Sequence, residues 1–226
     1  KPSNGIRKNM LTEYEKNGFV VIDNFLPLEV YSEMVKIFNN GEFVEINQIR
    51  EERYKLWETA DDKHFPSIDE DYLAHFWSSF DVADNPKVIG MYDKYIKPLF
   101  EKISNERNLK VRHQATKYKK NNKDFTRIHY DDYMGSIGYI LYLTELDWKY
   151  DWGGHLQIIK EDKILSLLPS SNRLVLINHS LKNPHWVVPT NVWSKEDRNT
   201  LNGFVIDKNL DIPETWKNRK DISVIV

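Results

Sequence analysis

Hydrophobic and polar positions follow two different patterns along this chain. In the first hundred residues, apolar positions recur three and four apart, which is typical of helices that bury one face. Within this first half, residues 42–65 mix apolar and charged positions in a way that fits either a hairpin or irregular structure. We predict a strand over 19–23 and helices over 6–17, 27–40, 69–80 and 87–106.

After residue 108 the helical pattern disappears, and short apolar runs alternate with turn-forming residues. Helices followed by many evenly spaced strands predict an α+β fold with a mainly β core, a sandwich or barrel buttressed by N-terminal helices. The predicted strands cover 109–118, 136–144, 154–160, 163–168, 172–178, 185–189 and 198–206.

Composition narrows the chemistry that this fold can carry. The 226 residues suffice for a large core, and the charged fraction of 29% is ordinary for a globular protein. The chain contains no cysteine, which excludes disulfides, zinc–thiolate sites, iron–sulfur clusters and thiol nucleophiles. A net charge of −2 provides no field that would attract nucleic acid or an anionic membrane, so neither is expected as a partner.

The hydropathy of the chain bears on the cellular location of the protein. No segment approaches the roughly 18 consecutive apolar residues of a transmembrane helix. Residues 1–5 lack the apolar core of a signal peptide. We therefore expect a soluble, cytoplasmic protein, and the sequence leaves its oligomeric state open.

One short segment places two metal-binding side chains together. His129 and Asp131 are separated by one residue, and alternate residues of an extended backbone point to the same side. With a second histidine they would form a set of two imidazoles and one carboxylate, which leaves open positions on an octahedral metal such as non-haem Fe(II). His-x-Asp alone is a weak signal, because it occurs by chance in many proteins.

The other histidines offer several candidates for the remaining ligand. His155 follows a Gly-Gly turn and His179 follows a strand end, so either could bind a metal. His185 is favoured because it begins an apolar run over 186–189 that can hold its imidazole rigidly. The histidines without such a context are interpreted as structural or surface residues: His64, His75 and His113.

The last predicted strand carries a candidate carboxylate site. Arg198 lies 13 positions after His185 and shares a strand face with Thr200. A guanidinium and a hydroxyl in one pocket suit the buried carboxylate of a dicarboxylic acid. Taken alone, Arg198 would instead be expected to form a surface salt bridge with Glu196 or Asp197. Its position on the strand that follows His185 favours the carboxylate site.

These pieces, read in order from about residue 19 to residue 207, resemble the 2-oxoglutarate- and Fe(II)-dependent dioxygenases of the prolyl-hydroxylase-like group. Each match is modest alone, but the ordered set is specific. The matching segments are 19–27 for the entry strand, 129–131 for the iron motif, 142–144 for the Tyr-Leu-Asn strand end, 153–156 for the Gly-Gly-x-Leu turn, 183–189 for the second histidine and 198–200 for the element that holds 2-oxoglutarate.

The resemblance implies one domain over residues 1–226, with a double-stranded β-helix (a jelly-roll or cupin-like barrel) as its core. Helices would support this core over about 6–108, the β-helix would span about 109–207, and 208–226 would be a C-terminal extension. Fe(II) would be the cofactor, with 2-oxoglutarate and O₂ as co-substrates. The implied catalytic and metal-binding residues are His129, Asp131 and His185. The implied 2-oxoglutarate-binding residues are Arg198, Thr200, Tyr118 and Tyr142.

The implied reaction is hydroxylation of an unactivated C–H bond. Asp131 favours this over halogenation, for which a halide would need the position of the carboxylate. The first candidate substrate is a prolyl residue in a peptide or protein, and the alternative is a free amino acid or another small molecule. A metal-binding cupin-like protein that does not use 2-oxoglutarate is a further alternative, against which Arg198 argues. Four tryptophans could stack on a proline ring or simply pack in the core: Trp148, Trp152, Trp186 and Trp193.

Overall fold

The chain folds around one curled antiparallel β-sheet. A computed structural model describes residues 4–49, 72–104, 109–120, 124–129, 131, 137–179, 183–206 and 223–225. The sheet curls into a half-barrel of the double-stranded β-helix type, and helices pack on its outside. The predicted class, a mainly β core buttressed by N-terminal helices, is confirmed.

The helices lie mostly in the first half of the chain. They are α1 (Asn4–Asn17), α2 (Leu28–Asn39), α3 (Phe80–Ala83), α4 (Pro86–Met91) and α5 (Lys97–Ser104). A π-helical turn (Tyr92–Ile96) joins α4 to α5, so the predicted helix over 87–106 is confirmed as far as it is described. The side chain of Asn85 accepts a hydrogen bond from the Lys87 backbone N–H, which caps this helix at the predicted break. The described helices are too short or too polar to span a lipid bilayer.

Twelve strands make up the described sheet. They are β1 (Phe19–Ile22), β2 (Val44–Ile49), β3 (Tyr72–Ser79), β4 (Lys110–Tyr118), β5 (Phe125–His129), β6 (Ile137–Tyr142), β7 (Leu156–Lys160), β8 (Lys163–Leu167), β9 (Leu174–Asn178), β10 (His185–Val187), β11 (Arg198–Ile206) and β12 (Ser223–Ile225). Their order in the sheet is β1-β9-β6-β11-β4-β3-β5-β10-β7-β8, with β12 also on β4 and β2 also on β3. Every strand predicted after residue 108 is confirmed, and β5 is a strand that the prediction missed.

Strand β3 joins the two halves of the sheet. Its end pairs with β4 and its beginning pairs with β5, the strand that carries His129. The predicted helix over 69–80 is therefore wrong, although residues 69–71 lie outside the described residues. Ala74, Phe76 and Ser78 are buried and alternate with more exposed positions, which is the two-residue period of a strand. So short an apolar run is ambiguous by itself, and the available partner strands decide its structure.

Two apolar layers lie on opposite sides of the sheet. The outer layer packs the helices on the larger half of the sheet, with Phe38, Ile96 and Phe100 fully buried. The inner layer lies within the barrel and includes Phe76, Leu156 and other residues that surround a cavity. Burial of each large apolar side chain contributes about 1.5–3 kcal/mol. Of the region 42–65, only β2 and its flanking residues are described, and the predicted extension over 208–226 lies outside the described residues except for β12.

Close packing between strands β11 and β6 predicts a stability effect at Gly203. A methyl group there would overlap the ring of Tyr139 and lie 2.8 Å from the backbone oxygen of Arg112. Gly203→Ala should lower the free energy of unfolding by about 1–3 kcal/mol, measured by urea denaturation. The matched control is Gly90→Ala, where the helical methyl would meet nothing within 4 Å. That variant should gain about 0.5–1 kcal/mol, and equal stability of the two variants would contradict this packing.

Candidate metal centre and active site

Three potential ligands meet where strand β5 pairs with strand β10. The antiparallel register places His129 directly opposite His185. Asp131 Oδ2 lies 3.6 Å from Nε2 of His129 and 3.2 Å from Nε2 of His185. The three ligand atoms lie within 4.8 Å of one another, and all three residues are buried. Within the described part of the chain, this is the one cluster of three such side chains close enough to hold a metal ion.

Backbone carbonyls set the orientation of both imidazoles. Nδ1 of His129 donates to the carbonyl oxygen of Arg127 at 2.7 Å, and Nδ1 of His185 donates to that of Asn183 at 3.0 Å. A carbonyl can only accept, so Nδ1 carries the proton and Nε2 is left to face Asp131. This is the tautomer and the second contact that metal-binding histidines commonly have.

The electrostatics of the cluster favour a cation. Burial by itself would raise the pKa of Asp131, but the facing imidazoles of His129 and His185 hold that pKa well below its usual range. Burial would lower the pKa of His129, and Asp131 outweighs it, so the pKa of His129 is raised. The buried carboxylate thus stabilises positive charge beside it, and a divalent metal ion bound to both Nε2 atoms would supply that charge.

Arg198 is a buried cation at a separate position in the barrel. It is 2% exposed, its Nε donates to the Gly154 carbonyl oxygen at 2.8 Å, and its Nη2 donates to the Tyr142 hydroxyl at 3.3 Å. Its guanidinium carbon lies 5.0 Å from the ring centroids of Tyr118 and Tyr142. No carboxylate of the described residues pairs with it, and a guanidinium oriented in this way is suited to bind an anion that enters the barrel.

The salt bridge that Arg198 would form as an ordinary surface residue does not occur. The Glu196 carboxylate instead accepts hydrogen bonds from the backbone N–H groups of Glu145 and Leu146. Asp197 accepts from the backbone N–H of Lys120. Both acidic side chains therefore hold loops at the start of strand β11, and the arginine is directed inward.

A cavity inside the barrel connects these two polar positions. His129, Asp131 and His185 line it together with Arg198 and Tyr118. Its volume is about 110 Å³, and its other described lining residues include Phe76, Leu156, Ile177 and Val187. Two predicted co-substrate residues lie just outside this lining: Tyr142 contacts Arg198, and the Thr200 hydroxyl donates to the Thr116 carbonyl oxygen at 3.3 Å.

The alternative histidine ligands are not part of the metal cluster. Nδ1 of His155 instead pairs with the Ser166 hydroxyl at 3.1 Å. The His179 ring centroid is 5.8 Å from that of His185, and burial lowers the pKa of His179 to about 3. Sequence reasoning considered His179 only as a ligand and missed its place in the cavity wall. It also missed four further lining residues: Arg112, Gln114, Asn202 and Phe204.

None of the four tryptophans lines this cavity in the described structure. Trp148 and Trp152 are buried against each other with ring centroids 5.3 Å apart. Trp193 is 64% exposed, and Trp186 faces a separate apolar groove together with Ile128 and Pro189. These positions leave no tryptophan ring within the cavity that contains His129, Asp131 and His185 in the described structure.

Comparison with known proteins agrees with this site. Residues 113–206, which contain the histidine–aspartate cluster and Arg198, match the family model of the 2OG-Fe(II) oxygenase superfamily. This part of the chain is therefore similar to the dioxygenases of this superfamily, in agreement with the resemblance in the sequence motifs. Fe(II), 2-oxoglutarate and O₂ are the cofactor and co-substrates of this class. No curated protein sequence matches the chain significantly.

Solved structures with a similar fold include two prolyl hydroxylases. One is from Trichoplax adhaerens, in complex with a peptide fragment of the hypoxia-inducible factor oxygen degradation domain, with TM-score 0.65, 18% identity and 90% of each chain covered. The other is a prolyl-4-hydroxylase from Pseudomonas putida, with TM-score 0.65, 16% identity, and 90% of this chain and 100% of that chain covered. The α-ketoglutarate-dependent epimerase SnoN is also similar, with TM-score 0.59, 10% identity, and coverage of 89% and 83%. At these identities the likeness shows the fold alone.

Removal of the Asp131 carboxylate should weaken metal binding strongly. We expect Asp131→Ala to weaken Mn(II) binding by about a hundredfold or more, measured by electron paramagnetic resonance of free Mn(II). Even the loss of a residue that only hydrogen-bonds to a metal ligand typically lowers metal affinity 10–100-fold. His155→Gln is the matched control, since His155 lies outside the cluster, and its Mn(II) affinity should equal that of the unchanged protein. Equal affinities of all three proteins would contradict this assignment.

Proposed function

We propose that this chain is a hydroxylase that uses Fe(II), 2-oxoglutarate and O₂ to oxidise an unactivated C–H bond, with His129, Asp131 and His185 as the iron ligands. The observation that carries this proposal is the convergence of their ligand atoms in a cavity that also contains the buried cation Arg198. The superfamily match supports the reaction class, and the donor set suits a metal that must keep positions open for other ligands.

In this proposal Arg198 binds the carboxylate of 2-oxoglutarate that lies farther from the metal. Gly154 and Tyr142 fix two of its guanidinium nitrogens, so the side chain is already oriented before an anion binds. Charge-assisted hydrogen bonds from a buried guanidinium to a carboxylate are strong and directional. Tyr118 lines the same part of the cavity, and Tyr142 and Thr200 support this wall.

Bound iron would supply activation of O₂: 2-oxoglutarate would lose CO₂ and take up one oxygen atom to become succinate, and the other oxygen atom would enter the hydroxylated product. The residues of the chain orient the reactants around that chemistry. The two strands β5 and β10 hold the ligands in fixed positions, and Arg198 holds the co-substrate in one direction. Leu156, Ile177 and Val187 provide an apolar lining that keeps bulk water away from the reacting groups.

The first candidate substrate is a prolyl residue in a peptide or protein. Fold likeness to two prolyl hydroxylases supports it, one of them bound to a peptide fragment. A free amino acid or another small molecule is the second candidate. It is supported by the cavity itself, which is lined by Arg112, Gln114 and His179 and by none of the tryptophans in the described structure.

The role of Arg198 can be tested through the co-substrate. Arg198→Gln should raise the KM for 2-oxoglutarate by about 10–100-fold, because a charge-assisted hydrogen bond contributes roughly 1.5–3 kcal/mol. Arg198→Lys should be intermediate, since an ammonium keeps the charge but loses the two-pronged geometry. Succinate release at varied 2-oxoglutarate measures this effect, and Mn(II) affinity is the control that should stay unchanged. An unaltered dependence on 2-oxoglutarate would favour a metal protein that does not use it.

The substrate class can be tested with proline-containing peptides, free proline and other amino acids. We expect succinate release above background, and a product heavier by one oxygen atom, with at least one peptide. Mass spectrometry of the product locates the added oxygen on the prolyl ring. Turnover confined to free amino acids would refute the peptide candidate and support the small-molecule one.

A further inference from the structure

Two polar side chains in the cavity have buried atoms that the proposed chemistry does not use. His179 is 3% exposed, and neither of its ring nitrogens has a hydrogen-bond partner among the described residues. Asn202 donates through Nδ2 to the Thr116 hydroxyl at 2.8 Å, while its Oδ1 is buried and has no partner in the described structure. Both residues line the cavity that contains the metal cluster. Buried polar atoms without a partner are costly and rare in native structures, which calls for an explanation.

The His179 imidazole is held inside the barrel, beside the metal cluster but outside the ligand set. Its ring centroid is 5.8 Å from that of His185 and 5.5 Å from that of Phe204. The imidazole occupies the space above Gly138, because a methyl group at Gly138 would overlap Nε2 of His179. The missing side chain at Gly138 therefore gives this ring its place in the cavity wall.

Asn202 lies farther along the same wall. In the register between β11 and β6, Phe204 lies opposite Gly138 and Asn202 lies opposite Ile140. Two residues of extended strand separate these positions, which is about 7 Å. Polar groups set at two such positions suit a ligand that carries its hydrogen-bond donor and its acceptor on different atoms.

The free atoms of the two side chains differ in what they can bind. Oδ1 of Asn202 can only accept a hydrogen bond, so it requires an N–H or O–H group of the ligand. The imidazole of His179 donates through a ring N–H, which suits a carbonyl oxygen. A carboxylate offers acceptors alone and would leave Oδ1 of Asn202 unpaired. An amide carries both an N–H and a carbonyl oxygen, on separate atoms.

We propose that His179 and Asn202, here named the amide subsite, bind an amide group of the molecule that is hydroxylated. This inference rests on the proposed function and names the substrate chemistry of the same cavity. His179 donates to the amide oxygen, Asn202 accepts from the amide N–H, and the Phe204 ring beside His179 provides an apolar wall. The amide is either the peptide bond next to the target residue or the carboxamide of a small molecule, and the test separates these two sources.

The test compares amides with esters, which lack the N–H group. N-acetyl-L-proline methylamide and its methyl ester represent a peptide, and L-prolinamide and L-proline methyl ester represent a small molecule. Each is titrated into protein loaded with Mn(II) and 2-oxoglutarate without O₂, and binding is read from the electron paramagnetic resonance of the bound metal. We expect the amide of one pair to bind about three- to tenfold more tightly than its ester, in line with one hydrogen bond. The pair with the larger preference identifies the source.

Two variants of Asn202 assign this preference to Oδ1. Asn202→Leu should bind amide and ester equally, because the acceptor is gone, whereas Asn202→Asp keeps an acceptor oxygen there and should retain the preference. His155→Gln is the matched control. Nε2 of His155 is also buried without a partner among the described residues, but His155 does not line the cavity. Its preference should equal that of the unchanged protein, and a preference that persists in Asn202→Leu would overturn the subsite.

The overlap between Gly138 and His179 provides an independent test of the imidazole. His179→Ala should weaken binding of the preferred amide by about three- to tenfold, and His179→Gln, which keeps an N–H donor, should restore part of it. Gly138→Ala should weaken binding to a similar extent, because its methyl group displaces the ring. The same change in His179→Ala should then have no further effect. Unchanged binding in both single variants would overturn the role of His179. If Asn202→Leu does not fold, as judged by thermal unfolding, these variants decide the outcome.

Failure of this inference is distinguishable from failure of the proposed function. Mn(II) and 2-oxoglutarate affinities, measured without any probe, test the proposed function and should be the same in Asn202→Leu as in the unchanged protein. Normal affinities together with equal binding of amide and ester in both pairs, including no binding of any probe, would overturn the amide subsite alone. A loss of 2-oxoglutarate affinity in Asn202→Leu would also overturn it, because Asn202 would then serve the co-substrate.

Discussion

The pairing of strands β5 and β10 is the constraint on which the rest of the site depends. Its register sets His129 opposite His185, and each imidazole donates a hydrogen bond to a backbone carbonyl two residues earlier in the chain. Because those contacts use Nδ1, both Nε2 atoms are directed to Asp131. A shift of the register by one residue would turn one imidazole to the other face of the sheet and leave a single histidine with the carboxylate.

The interior of this barrel concentrates charge where most folds place only apolar side chains. Arg198 and Asp131 are nearly fully buried, and each would be expensive to bury without a partner of opposite charge. An iron ion held by the His129–Asp131–His185 cluster and a dicarboxylate in the cavity would offset these two costs by stabilising Asp131 and Arg198.

Sequence patterns predicted secondary structure correctly where the pattern of one segment was unambiguous. They failed where the strands that pair with a segment determine its structure. The strand Arg198–Ile206 alternates inward and outward residues, and the structure matches its predicted bounds. Strand β3 has a run of aromatic residues that also fits a helix, and only its three partner strands make it extended. The tryptophans were ambiguous for the same reason, because aromatic side chains serve cores and binding sites equally well.

By itself the sequence determined the mainly β architecture and the ligand types. It also placed His129, Asp131 and His185 among the candidates, because strand periodicity and motif order are local properties of the chain. Only the tertiary structure decided that His155 and His179 lie outside the cluster, and that Arg112 and Phe204 line the same cavity. These residues are distant in sequence, and they meet because the sheet curls and brings β4, β9 and β11 against β10. Such tertiary contacts depend on the register and curvature of many strands, which no single segment encodes.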